Sequence, residues 1–118
     1  MKQFEQARIS LENAVRIDST HAEALYALGQ IYTKLDLNDK AEGVLKRFKV
    51  VSDFEKTEKK LKKKLSLKPS DNDIRRQLAL LYESRKDYLS AAEIWQQSYF
   101  LGDGKAATEL EKIKEKMK

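Results

Sequence analysis

The chain has no cysteine among its 118 residues, which excludes a disulfide framework and any thiolate metal site. His21 is its only histidine and falls in a predicted turn among polar residues, where it reads as a solvated side chain rather than a general base. One proline and four glycines leave few helix breakers, which favours consecutive helices joined by short turns. No apolar run approaches the roughly 18 residues that a membrane span needs. The opening residues 1–5 lack the apolar core of a signal peptide. No glycine-rich phosphate loop is present either: Gly102-Asp103-Gly104 reads as a helix terminator followed by a restart.

What the chain does have is charge. Hydrophobic residues make up 41% and charged residues 36%, the balance of a polar helix former with one domain's worth of core. The net charge of +5 is concentrated in one stretch. Residues 56–68 hold seven lysines and one glutamate, a sum of +6, so the remainder sums to −1.

Apolar spacing predicts seven helices, at about 3–17, 22–35, 39–51, 54–67, 72–85, 88–101 and 104–116. Three hydroxyl-x-x-acid patterns predict helix starts: Thr20 with Glu23, Ser52 with Glu55, and Ser70 with Asp73. Connections of two to five residues make neighbouring helices antiparallel. The last helix presents Ala107, Leu110, Ile113 and Met117 on one face, with charges around it, as a solubilising cap would. The carboxylate pair Asp71 and Asp73 fits helix capping better than metal binding. Tyr32, Phe48, Tyr82, Trp95 and Phe100 stand at core spacing.

A pattern recurs fifty residues apart. Leu28, Gly29, Tyr32 and Ala41 are spaced like Leu78, Ala79, Tyr82 and Ala91, and Phe4, Glu5 and Leu11 return as Phe54, Glu55 and Leu61. The first set resembles the tetratricopeptide repeat, whose 34-residue unit is two antiparallel helices, A and B. The resemblance implies an all-α helix-hairpin solenoid with two full units, residues 22–55 and 72–105. Gly29, Ala41, Ala79 and Ala91 would sit where A and B approach closely. Asp87-Tyr88 matches the family's acid–aromatic turn, Asp36-Leu37-Asn38 alters it, and Pro69 stands at the proline between units. Within one domain over 1–118 we expect a half repeat at 2–18, a repeat at 22–55, an extra basic helix at 54–68, a repeat at 72–103 and a cap at 104–118. Residues 2–18 read as a B helix without an A helix before it, so the expectation is a fragment whose partner helix lies upstream. A step of fifty in place of 34 should break regular stacking near 36–55, which would leave room for a swapped or paired homodimer.

The resemblance also implies a function. In this family the A helices line a concave face that binds extended peptides or partner helices, without catalysis and without a cofactor or metal. Carried onto this sequence, that face comprises Glu23, Tyr26, Gln30, Thr33 and Lys34, then Asp73, Arg76, Gln77, Leu80 and Glu83, with Tyr26 and Arg76 as the expected anchors. A subclass clamps terminal carboxylates through cationic A-helix residues, but Tyr26, Gln30, Asp73 and Gln77 hold those positions here. The alternative is an anion-binding module, for nucleic acid or an acidic surface, through Lys59, Lys60, Lys62, Lys63 and Lys64. That helix has no arginine and one nearby aromatic, Phe54, so a solvated face explains it better. The compartment is left open, with the cytoplasm as default.

Overall fold

A computed structural model describes residues 2–118. The fold class is the expected one: six α-helices and, among the described residues, no strand. They are α1 (Lys2–Ile17), α2 (Ala22–Lys34), α3 (Asn38–Leu67), α4 (Asn72–Ser84), α5 (Tyr88–Phe100) and α6 (Lys105–Lys116). The third and fourth predicted helices are one unbroken helix of 30 residues. Ser52 and Glu55 therefore start nothing. No glycine or proline interrupts residues 44–68, and Val44, Phe48, Val51, Leu61 and Leu65 keep apolar contacts along it. Lysine and glutamate, good helix formers, fill most of its exposed positions.

The described chain forms two compact units, one running to Glu55 and one from Lys56 to Lys118, with the change of unit inside α3. Helix limits recur at fifty residues: α2 and α4 begin at 22 and 72, and the second hairpin helices begin at 38 and 88. The irregular step read from the sequence is thus present, without the turn expected to carry it.

The other two predicted caps move by one residue. His21 caps α2, its Nδ1 accepting from the Ala24 amide at 3.1 Å, while Thr20 is bound to the Asp18 carboxylate. Asp71, at the equivalent place, caps α4 by accepting from the amides of Asp73 and Ile74 at 3.0 and 3.2 Å. Each supplies an acceptor to free amides of the first turn, which is what a cap needs. Asp87 caps α5. Both hairpins turn through a left-handed residue, Asp36 at φ 58° and Lys86 at φ 60°, in a region that few side chains adopt. The next amide, of Leu37 or Asp87, returns to the carbonyl of Tyr32 or Tyr82.

In the first unit Val15, Ala24, Leu25, Leu28, Tyr32, Ala41 and Val51 form the core. A Cβ at Gly29 would lie 2.5 Å from Leu45 Cδ2, so the half-buried Leu45 side chain would have to shift to admit one. In the second unit Leu61, Ile74, Leu78, Ala79, Tyr82, Ala91, Trp95, Ala106 and Ile113 are buried. The four small residues expected at the helix crossings, Gly29, Ala41, Ala79 and Ala91, are all buried. On α6 the inward alanine is Ala106, fully buried, rather than Ala107, and Met117 is half exposed.

Each A-type helix is tied by its tyrosine to a carboxylate. Tyr32 donates to Glu12 at 2.5 Å, and Tyr82 to Glu58 at 2.6 Å. These acceptors are not equivalent positions. Glu12 pairs with Arg8, whereas Glu58, which matches Arg8, pairs with Lys62, which matches Glu12. The ion pair is reversed and the phenol follows the carboxylate.

Candidate functional site

The residues expected to bind a partner lie fifty apart in two rows. On α2, Glu23, Tyr26, Gln30 and Thr33 recur every three or four residues and so share one face, and Lys34 adjoins them. All five are exposed. Tyr26 leans on Phe48 of α3, ring centroids 5.2 Å apart and tilted by 46°, and still keeps 47% of its surface open. Gln30 donates to the Tyr26 hydroxyl at 3.2 Å, and Thr33 is bonded to the Gly29 carbonyl. Lys34 lies 5.4 Å from the Phe4 ring centroid. The face therefore offers an aromatic pair with polar groups along one side.

On α4 the same row is engaged within its own unit. Arg76 donates to Asp103 at 3.1 Å and meets Asp73 at 3.4 Å. Ser98, fully buried, donates to the same Asp103 oxygen, and the Lys105 amide donates to its other oxygen. Burial pulls the Asp103 carboxyl up, but these donors and the Arg76 charge outweigh it and hold the group below the usual carboxylate range. Glu83 accepts from the Trp95 indole at 2.9 Å, and its other oxygen faces Lys116 of α6 at 3.7 Å. Asp73, Gln77 and Leu80 remain exposed. The two anchors expected from sequence are thus unlike: Tyr26 faces solvent, and Arg76 holds the α5–α6 connection.

At three residues the structure shows what the sequence did not suggest. Phe48 was expected as core, yet it is half buried and completes the aromatic pair; the hint was its equivalent, Ser98, a small polar residue in the same register. Arg75 matches Leu25, is only 8% exposed, and its Nε and Nη1 find no partner among the described residues. His21 is a cap, which gives it a structural role.

Lys59, Lys60, Lys62, Lys63 and Lys64 are all exposed around the buried Leu61, and Lys62 is paired with Glu58. They form the solvated side of a packed helix. Among the described residues no helix is long and apolar enough to cross a membrane, and no group of acidic or histidine side chains could hold a metal ion.

Comparison with known proteins agrees with this architecture. Residues 22–47, which are α2 and the first part of α3, match the tetratricopeptide repeat. A curated relative, anaphase-promoting complex subunit 3 of Schizosaccharomyces pombe, is 23% identical over 113 residues, 96% of this chain. The chain spans 15% of that relative's length. Two solved structures of MamA are similar over 97% of this chain and 78% and 73% of theirs, with TM-scores of 0.52 and 0.50 at 19% identity. Likeness at that identity concerns the fold.

Proposed function

From a chain that carries a tetratricopeptide repeat at residues 22–47, and repeats its hairpin fifty residues later, we propose a non-catalytic protein-binding module. Its contact surface is the α2 face, where Tyr26 and Phe48 receive a peptide or helix of a partner. The observation that carries this reading is the contrast between the rows. Tyr26 is 47% exposed beside a second ring, while Arg76 and Glu83 are held by Asp103, Trp95 and Lys116. Exposed aromatic side chains on a rigid frame supply large contact area at small cost in ordering, which is why they dominate interface energetics.

Peptide display against the parent chain, Tyr26→Ala and Arg76→Glu tests it. Peptides enriched on the parent should be lost on Tyr26→Ala, with affinity falling by about tenfold or more. They should survive Arg76→Glu wherever that variant remains folded. Equal enrichment on parent and Tyr26→Ala would remove the α2 face from the function.

A further inference from the structure

A cleft of about 400 Å³ opens in the first unit between α1, α2 and the first half of α3. Its floor is apolar: Val15, Leu28 and Tyr32 are buried and Val44 half buried. Arg16 and Arg47 stand at its exposed rim. Among the described residues neither is ion-paired with a carboxylate. Arg16 donates to the Asn13 amide oxygen and Arg47 to the Ser19 carbonyl, both at a long 3.3 Å. The one carboxylate in the lining, Glu12, is already engaged by Arg8 at 2.8 Å and by the Tyr32 hydroxyl. Two guanidinium groups without an ion pair therefore stand at the rim of an open, apolar-floored groove.

The second unit keeps Leu78 and Tyr82 at the matching floor positions but lacks the rim charge. Leu65 and Ile94, each larger by one methylene, replace the two valines, while Ser66 and Gln97 replace the two arginines. At 3.6 residues per turn, Leu28 and Tyr32 lie on the side of α2 turned away from Tyr26, Gln30 and Thr33, so this cleft is separate from the face discussed above.

We infer that the cleft is a second binding site, for a peptide segment of a partner protein in which an aliphatic side chain is followed by carboxylates. The aliphatic group enters between Val15, Leu28 and Val44, and a carboxylate meets Arg16 and Arg47, whose planar donors suit it. The open rim favours a side chain over a long acyl chain, which buries its length only in an enclosed channel.

The test uses the full chain and a fluorescein-labelled peptide with leucine followed by two glutamates, read by polarisation and by methyl chemical shifts. Controls carry glutamine for glutamate, or serine for leucine, and decanoate is titrated in parallel. One variant, Arg16→Ser with Arg47→Gln, and another, Val15→Leu with Val44→Ile, install the second unit's own residues. The expected result is binding by the parent, shifts at Val15, Leu28 and Val44, and a loss of about tenfold or more with each variant and each control peptide. Unchanged helicity by circular dichroism shows that each variant is folded, and either one alone decides the outcome. Equal binding by a folded variant, equal binding of the glutamine peptide, or no binding at millimolar peptide would overturn the assignment. Decanoate binding without peptide binding would overturn it in favour of an acyl ligand.

Discussion

The hairpin of α2 with the first half of α3 and the hairpin of α4 with α5 share helix limits, cap positions and left-handed turn residues, and differ in what fills them. In the first, Gly29 lies against a half-buried Leu45. In the second, the matching residues are Ala79 and Trp95, both buried, and the indole is bonded to Glu83. The first shows an aromatic pair to solvent, whereas the second anchors the α5–α6 connection with Arg76 and Asp103. Caps, turns and tyrosines therefore set the frame, and side-chain volume between the helices decides which hairpin is closed and which is left displayed.

The sharpest way to break the parallel is to truncate the matching residues. Trp95→Ala should cost about 3–5 kcal/mol, the range for a buried aromatic, and unfold much of the second unit. Leu45→Ala, half exposed, should cost about 2 kcal/mol or less. Urea denaturation followed by circular dichroism compares them, and equal losses would show that the two interiors are equally tight. Next comes Arg75→Leu, which gives the second unit the residue of the first. Removing a largely buried guanidinium whose Nε and Nη1 lack partners among the described residues should raise stability by about 1–4 kcal/mol, as when other buried ionic groups yield to hydrophobic ones. A lower thermal midpoint would reveal an acceptor for Arg75 in solution.

Alkaline titration bears on what the hairpins share. Burial first, then the hydrogen bond and charge of Glu12, push the Tyr32 hydroxyl from 10.0 up to about 12, and the same causes, with Glu58, push Tyr82 upward. Folded tyrosines therefore hold their protons more tightly than unfolded ones. Stability should be intact below about pH 10 and fall as pH rises toward 12. Tyr32→Phe should flatten that decline, and an unchanged slope would mean that the phenol titrates freely.

A last pair of variants tests the reversed ion pair. Glu12→Lys alone leaves Tyr32 without its acceptor and should cost about 1.5–3 kcal/mol, the range for a hydrogen bond to a charged group. Adding Arg8→Glu rebuilds the arrangement of Glu58 and Lys62 and should return stability to within about 1 kcal/mol of the parent. Failure of the rescue in thermal melts would mean that the two frames differ more than their helix limits suggest.

The recurrence at fifty residues, the small residues at helix crossings and the core tyrosines were legible because side-chain periodicity carries them. The continuity of α3 was not, since Ser52 followed by Glu55 has the look of a helix start, and only the lack of a breaker argued otherwise. The caps were displaced by one residue because His21 and Asp71 offer better-placed acceptors than Thr20 and Ser70. Tyr26 could be picked out as exposed, but the engagement of Arg76 could not, because Asp103 lies 27 residues away. The tyrosine acceptors, 20 and 24 residues distant and at unmatched positions, were likewise beyond local reading.

The reversed pair also says something about how the copies could have diverged. Compared column by column, 8 with 58 and 12 with 62, every charge is opposite, and an alignment would score two losses. The bond itself has survived. What recurs is an acceptor within reach of a phenol, at either of two sites one helical turn apart. Two routes join the arrangements: through an intermediate with no acid, which strands the hydroxyl, or through one with two, whose repulsion at this spacing is only about 0.5 kcal/mol. The passable route adds the second acid before it discards the first, so an ancestral sequence on that path would carry glutamate at both places.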